Sequence, residues 1–160
     1  MRLYSDFGRS DNKLLFSRYM LGIDYSDKAE SEIYRCYVIL LGVIREFLTE
    51  CRININSKGY LYIQDSIIAI IDQRTMDIRF KTDVYPYVAF KYGVKDSSNV
   101  EHSIRNALVA AYKLNELDEN HSSAIMSSFG RCPTNKTFLL YMTREVCRRL
   151  WDESIEFTDI

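Results

Sequence analysis

An all-α fold is what this sequence predicts: a helical bundle with a helix-turn-helix inside it and a helical extension before it. Three observations point there. Apolar residues recur at three- and four-residue spacings in successive stretches from Leu14 to Leu150, the period of helices with one buried face. Helix start and stop residues punctuate those stretches, among them Pro86, Gly93, Ser98, Gly130 and Thr134. No two alternating runs flank a hairpin turn, so no strand pair is indicated.

The 160 residues suffice for one core, or one domain plus a small appendage. Hydrophobic residues make up 47% and charged residues 27%, an ordinary soluble composition, and twelve Tyr with eight Phe give an aromatic-rich core. Net charge is −1, so no global basicity announces a nucleic-acid partner. The distribution says more. Residues 80–150 hold ten Lys and Arg against seven Asp and Glu, and residues 151–160 hold four acids and no base. Cys36, Cys51, Cys132 and Cys147 form no C-x-x-C pair, which excludes zinc-ribbon and redox readings on spacing. Reduced, mostly buried thiols of a cytoplasmic protein are expected instead. The N-terminus has no apolar signal core, and no apolar run approaches the length of a membrane span, so no membrane partner is expected.

In chain order, residues 1–12 are polar. Leu14, Leu15, Phe16, Tyr19, Met20 and Leu21 suit a short helix ending near Gly22, and Asp24 to Lys28 a turn. Ala29 to Glu50 reads as one long helix. Its seam of Ile33, Tyr37, Leu40, Ile44 and Phe47 has spacings of 4, 3, 4 and 3, which suit packing within the core or across a dimer. Arg52 to Tyr60 is a connector. From Tyr60 to about Asp72 a second helix turns Ile63, Ile67, Ile70 and Ile71 inward, and Arg74 to Thr82 is a polar link. Beyond the central motif, Leu114 to Glu119 reads as a charged loop and Asn120 to Phe129 as a short helix stopped by Gly130. Thr134 caps a last helix through Trp151, with Phe138, Tyr141, Met142, Val146 and Leu150 as its apolar face. Pro133 stands just outside it.

The stretch Asp83–Lys113 organises the rest. Val84, Tyr85, Val88, Ala89 and Tyr92 share one helical face, Pro86 falls in the first turn, and Gly93 marks the stop. A second helix opens on Ser98-Asn99-Val100-Glu101, a capping-box pattern, and buries Val100, Ile104, Ala107, Leu108 and Ala111. Ser98, Asn99, His102, Arg105 and Asn106 point the other way. Short polar and basic side chains on a helix just after a tight turn suit a helix-turn-helix, whose second helix enters the major groove. The same pattern also suits any αα-corner with a solvated outer face.

From about residue 40 the order of features resembles the C-terminal DNA-binding effector domain of the sporulation initiation (stage-zero) response regulators. The residues that carry the resemblance are Lys58-Gly59-Tyr60-Leu61-Tyr62 with Ile67, Val84-Tyr85-Pro86 with Val88-Ala89, and Val100-Glu101 with Ile104-Arg105-Asn106-Ala107. Ser127-Ser128-Phe129-Gly130 and Pro133-Thr134-Asn135 with Phe138 complete the set. The resemblance implies an all-helical bundle that binds short repeated promoter boxes and contacts the transcription machinery. It also brings departures. Only about forty residues precede the match, too few for the family's phosphoacceptor receiver domain, so that mode of control is not expected here. Asn99 and His102 stand where the family's reading helix typically has Arg, and the family's basic loop is reduced to Arg131-Cys132. Arg grips guanine bidentately and Asn suits adenine, so a different preferred site or weaker binding is expected.

The expected function is a DNA-binding transcriptional regulator. Ser98, Asn99, Glu101, His102, Arg105 and Asn106 are the candidates to face bases. Lys91, Lys95, Lys113, Arg131 and Lys136 are the candidates for phosphates. Glu101 serves equally as the acid partner of Arg105 four residues on or as an acceptor for cytosine N4. The expected organisation is an extension over 1–39, the effector-like domain over 40–151 and an acidic tail over 152–160. Expected partners are duplex DNA and a second copy of the chain, with RNA polymerase or a full-length regulator as further candidates. The alternative is an interaction protein that kept the fold and pairs with a regulator instead of DNA. No phosphate loop, nucleophile elbow or paired-carboxylate motif argues for an enzyme, and no catalytic, metal or cofactor site is expected. Asp118, Glu119 and His121 read as a charged loop rather than metal ligands.

Overall fold

The computed structural model describes residues 30–72 and 78–158, with side chains placed for 38–71, 78–150 and 152. Every element among these residues is helical. They are α1 (Glu30–Glu50), α2 (Lys58–Asp72), a π-helical turn (Phe80–Val84), α3 (Tyr85–Tyr92), α4 (Ser97–Leu117), a 3-10 turn (Glu119–His121), α5 (Ala124–Ser128) and α6 (Asn135–Thr158). The expected helix over Leu14–Leu21, and the side chains of Ile33, Cys36 and Tyr37, lie outside the described residues.

Helix α2 is the axis of the bundle. It packs against α1, α3, α4 and α6. All residues from Tyr62 to Ile71 are buried. Ten consecutive residues exceed two turns, so the helix is enclosed on every side rather than on the one isoleucine face that periodicity indicates. Gln64, Asp65 and Ser66 fall where the pattern predicts solvent, yet all three are buried. Two of them have partners on neighbouring helices: Arg45 Nε donates to Gln64 Oε1 at 3.0 Å, and Lys91 Nζ to Asp65 Oδ1 at 3.0 Å. Helix α2 also starts at Lys58, two residues earlier than expected, because the Ser57 hydroxyl accepts from the Tyr60 N–H. Leu40, Ile44 and Phe47 carry the α1 seam into the same core.

Gly59 sets how closely α2 and α4 meet. A Cβ at residue 59 would lie 2.4 Å from the Ser103 carbonyl oxygen and 2.5 Å from Ala107 Cβ. Both belong to the middle of α4, a helix that cannot yield locally.

The helix-turn-helix forms as the pattern predicts, with shifted ends. Pro86 falls in the first turn of α3 and Gly93 ends it in the left-handed conformation (φ 68°, ψ 28°), with Val94 N donating to Ala89 O at 2.8 Å. Asp96, not Ser98, caps α4: its side chain accepts from Ser98 N at 2.9 Å. Asp-Ser-Ser offers three capping residues in a row, and the carboxylate wins by meeting the positive helix end with a full charge.

The expected charged loop at Leu114–Glu119 is instead the last turn of α4, which runs to Leu117. Asn115 explains this. It is buried, donates to Cys51 O (3.1 Å) and Ala111 O (2.8 Å), and accepts from Ser123 N (2.6 Å). An Asn with three internal partners belongs inside a helix, although its type favours turns. The Asn115 bond to Ser123 breaks the chain there. The expected single helix over Asn120–Phe129 is therefore a 3-10 turn followed by the short α5, capped by the Ser123 hydroxyl on Met126 N. Thr134 caps α6 by accepting from Thr137 N at 3.2 Å. The helix continues past Trp151 to Thr158, into the stretch expected to be a tail.

Gly59→Ala should destabilise the fold. Ala is the better helix former by about 1 kcal/mol, but overpacking against rigid backbone costs about 1–3 kcal/mol. Denaturant unfolding should show a net loss, and a gain would mean that α4 can shift at little cost.

Candidate nucleic-acid interface

Helix α4 sorts its faces as its spacing predicts. Val100, Ile104, Ala107, Leu108 and Ala111 are buried, while Asn99, His102 and Asn106 are exposed. Ser98, Glu101 and Arg105 are half-buried at the margin. Arg105 is also engaged inside the protein: its Nη1 donates to Pro133 O at 2.5 Å. Beside it, Asn135 Nδ2 donates to Glu101 O at 2.9 Å. These two bonds tie the start of α6 to the outer face of α4.

The consequence is an open cleft of about 500 Å³. Glu101, His102 and Arg105 line it from α4. Thr134, Asn135 and Lys136 line it from the start of α6, and Phe80, Lys81 and Tyr85 from the π-helical turn and α3. Three cations from three elements converge there against one acid. The N-terminus of α6 adds its positive end, a geometry suited to anions.

Lys81 and Thr134 were not among the residues expected at the site. A helical-wheel reading leaves the link before Asp83 unstructured, so it cannot place Lys81. Asp83 anchors the start of this turn, its Oδ2 accepting from Arg79 N at 3.1 Å and its own N–H donating to Arg79 O at 2.7 Å, and the five-residue bond from Tyr85 N–H to Phe80 O makes the turn π-helical.

The expected phosphate ligands divide. Lys136 lines the cleft and is exposed, as are Lys95 in the turn and Arg131 in the loop before α6. Lys113 is exposed but stands fourteen residues beyond Asn99, about 21 Å along the helix axis. Lys91 is held by the fully buried Asp65, as an ion pair at 3.0 Å. Burial holds its ammonium below the usual lysine range, against the opposing pull of that carboxylate.

Other titratable groups are structural. Burial pushes the Cys51 thiol up to about 12 and that of Cys147 up to about 11, which makes both poor nucleophiles. Burial also raises the Tyr85 hydroxyl, with the neighbouring Asn135 side chain opposing the shift. His121 Nδ1 lies 3.1 Å from Asp118 on an exposed turn. Among the described residues, no three His, Cys, Asp or Glu stand together as a metal site, and no helix is long and apolar enough to cross a membrane.

An all-helical bundle that presents the polar face of a second helix after a tight turn has the architecture of a helix-turn-helix domain. More particularly, residues 44–146 match the family model described as sporulation initiation factor Spo0A C terminal, and the chain belongs to this family of DNA-binding effector domains. No solved structure matches the chain.

The backbone hydrogen bond from Ser98 holds the Asp96 carboxyl below the usual carboxylate range. A depressed folded-state value means that the cap is at full strength above the ordinary carboxylate range and is lost as pH falls below that range through the lowered value. Amide exchange at Ser98, corrected for its intrinsic pH dependence, should therefore lose protection on acidification. Asp96→Asn, which keeps an acceptor, should remove that pH dependence. Equal behaviour of both proteins would refute the cap.

Proposed function

We propose that the chain binds duplex DNA with the start of α4 in the major groove. The observation that supports this most is the convergence of α4's exposed polar face with Lys81, Lys136 and the N-terminus of α6 on one open cleft. Asn99, His102 and Asn106 read base edges. Asn99 suits adenine, which accepts and donates side by side at N7 and N6. Ser98 and Glu101 reach only the margin of the groove. Arg105 orients the loop before α6 through Pro133 and offers its remaining N–H groups to the duplex. Lys81, Lys95, Arg131 and Lys136 grip phosphates, with Lys113 on a more distant one. Lys91 positions the fold rather than the DNA.

Selection from random duplexes, then anisotropy titration across salt, tests this. Log affinity should fall linearly with log salt, by about 0.9 per phosphate neutralised. Lys81→Ala and Lys136→Ala should each flatten the slope by about one unit without changing the preferred sequence. Asn99→Ala should relax the sequence at one position and cost about 1–3 kcal/mol. A slope near zero would overturn the proposal.

A second reading, a protein partner in place of DNA, has its own support. Phe90 and Leu117 are 79% and 84% exposed, large apolar side chains in solvent. A dimer through the first half of α1 is also proposed, from the seam of Ile33 and Tyr37. Light scattering at high micromolar concentration decides it: a monomer ends the dimer proposal. If the chain is a dimer, Ile33→Asp with Tyr37→Asp should give a folded monomer that binds DNA more weakly.

A further inference from the structure

Asp65 is fully buried in the middle of the central helix, where a carboxylate has no access to water. Its two oxygens go to consecutive residues at the end of α3. Lys91 Nζ donates to Oδ1 at 3.0 Å, and the Tyr92 hydroxyl donates to Oδ2. The Tyr92 ring also packs on Tyr62 of α2, with centroids 5.3 Å apart. The next residue is Gly93, in the left-handed turn that leads to the Asp96 cap and the reading end of α4.

Adhesion of α3 does not need this arrangement. Tyr85, Val88 and Ala89 are already buried along its face, and Val84 just before it. A buried ion pair is also a poor source of stability, because desolvation offsets most of the attraction and apolar residues of similar size often do as well. What a two-pronged charged contact supplies is direction. An apolar face allows a short helix to roll and slide, whereas one carboxylate gripping two adjacent residues fixes both rotation and register. It acts at the last turn before the reading helix.

We propose that Asp65, Lys91 and Tyr92 form a positioning clamp that sets the angle at which α4 meets DNA. This rests on the duplex-binding reading above. Without the clamp the turn at Gly93 and Val94 samples several geometries. Specific affinity then falls by the fraction of time spent in the competent one, about tenfold if that fraction is one-tenth. Non-specific binding, which needs only charge near phosphates, is not so affected.

The test uses the full chain carrying Asp65→Leu, Lys91→Met and Tyr92→Phe together. Three readouts are taken: thermal melting, affinity for the selected duplex and its scrambled counterpart, and amide exchange at Gly93 and Val94. The clamp predicts melting at or above the parent temperature, specific affinity down about tenfold, scrambled affinity unchanged, and faster exchange at the turn with Ile67 and Ile104 unaltered. An unchanged specificity ratio with unchanged exchange overturns it. A fall in stability and in both affinities together also overturns it, as a purely structural role. If the triple variant does not fold, Tyr92→Phe decides by the same exchange readout: faster exchange confined to the turn supports the clamp, and none overturns it. If the parent chain binds no duplex at low salt, the proposed function fails, and the exchange readout still decides the clamp by itself.

Discussion

Helix α4 can lie where it does only because residue 59 has no side chain. A Cβ there would meet the α4 backbone at Ser103, on the turn that also carries His102 and Arg105. The depth at which α4 sits on the central helix decides whether Arg105 reaches the Pro133 carbonyl and whether Asn135 reaches that of Glu101. Those bonds bring the N-terminus of α6 alongside the reading face. One close approach between two helices therefore carries through to the composition of the cleft.

Polar groups do the placing in this domain, and apolar groups do the holding. The core itself is ordinary: isoleucine, leucine and aromatic side chains from α1, α2, α4 and α6. What distinguishes the domain is a set of buried or half-buried polar contacts at helix ends. Asn115 joins α4 to the loop after α1 and to the cap of α5. Arg52 reaches from that same loop to Leu114 O at 3.3 Å. Each contact is worth about 1 kcal/mol net, yet each fixes a direction that close-packed apolar surfaces leave less defined.

Much of this was legible in the sequence. The face of α4 followed from period 3.6, because a half-buried helix must separate its stripes. The stop at Gly93 and the cap at Thr134 followed from local residue chemistry. Two kinds of feature did not follow. Asp65 and Asn115 are polar residues whose partners lie 26 and 64 positions away in sequence, so a local pattern assigns them to solvent. Lys81 and Lys91 show the second kind. Both precede the reading helix, Lys81 in the polar link and Lys91 on α3, and only tertiary structure turns one toward the cleft and the other onto a buried carboxylate. The resemblance carried by Lys58-Gly59-Tyr60 also acquires a physical reason, since at that glycine α2 and α4 approach too closely for a Cβ.

The departures at Asn99 and His102 shape what the interface can recognise. Under the proposed function, base reading there uses hydrogen bonds from Asn99 and His102 in place of the bidentate Arg grips on guanine that the family resemblance implies. Positioning then rests more on phosphate contacts from Lys81, Lys136 and the α6 N-terminus, which lie outside the reading helix. The most direct measurement of the account is an amide and side-chain NMR map of the labelled chain titrated with its selected duplex. The account predicts the largest shifts at Asn99, His102, Asn106, Lys81 and the first turn of α6, with Lys91 unperturbed. Shifts confined to Phe90, Leu114 and Leu117, with the cleft silent, would contradict it.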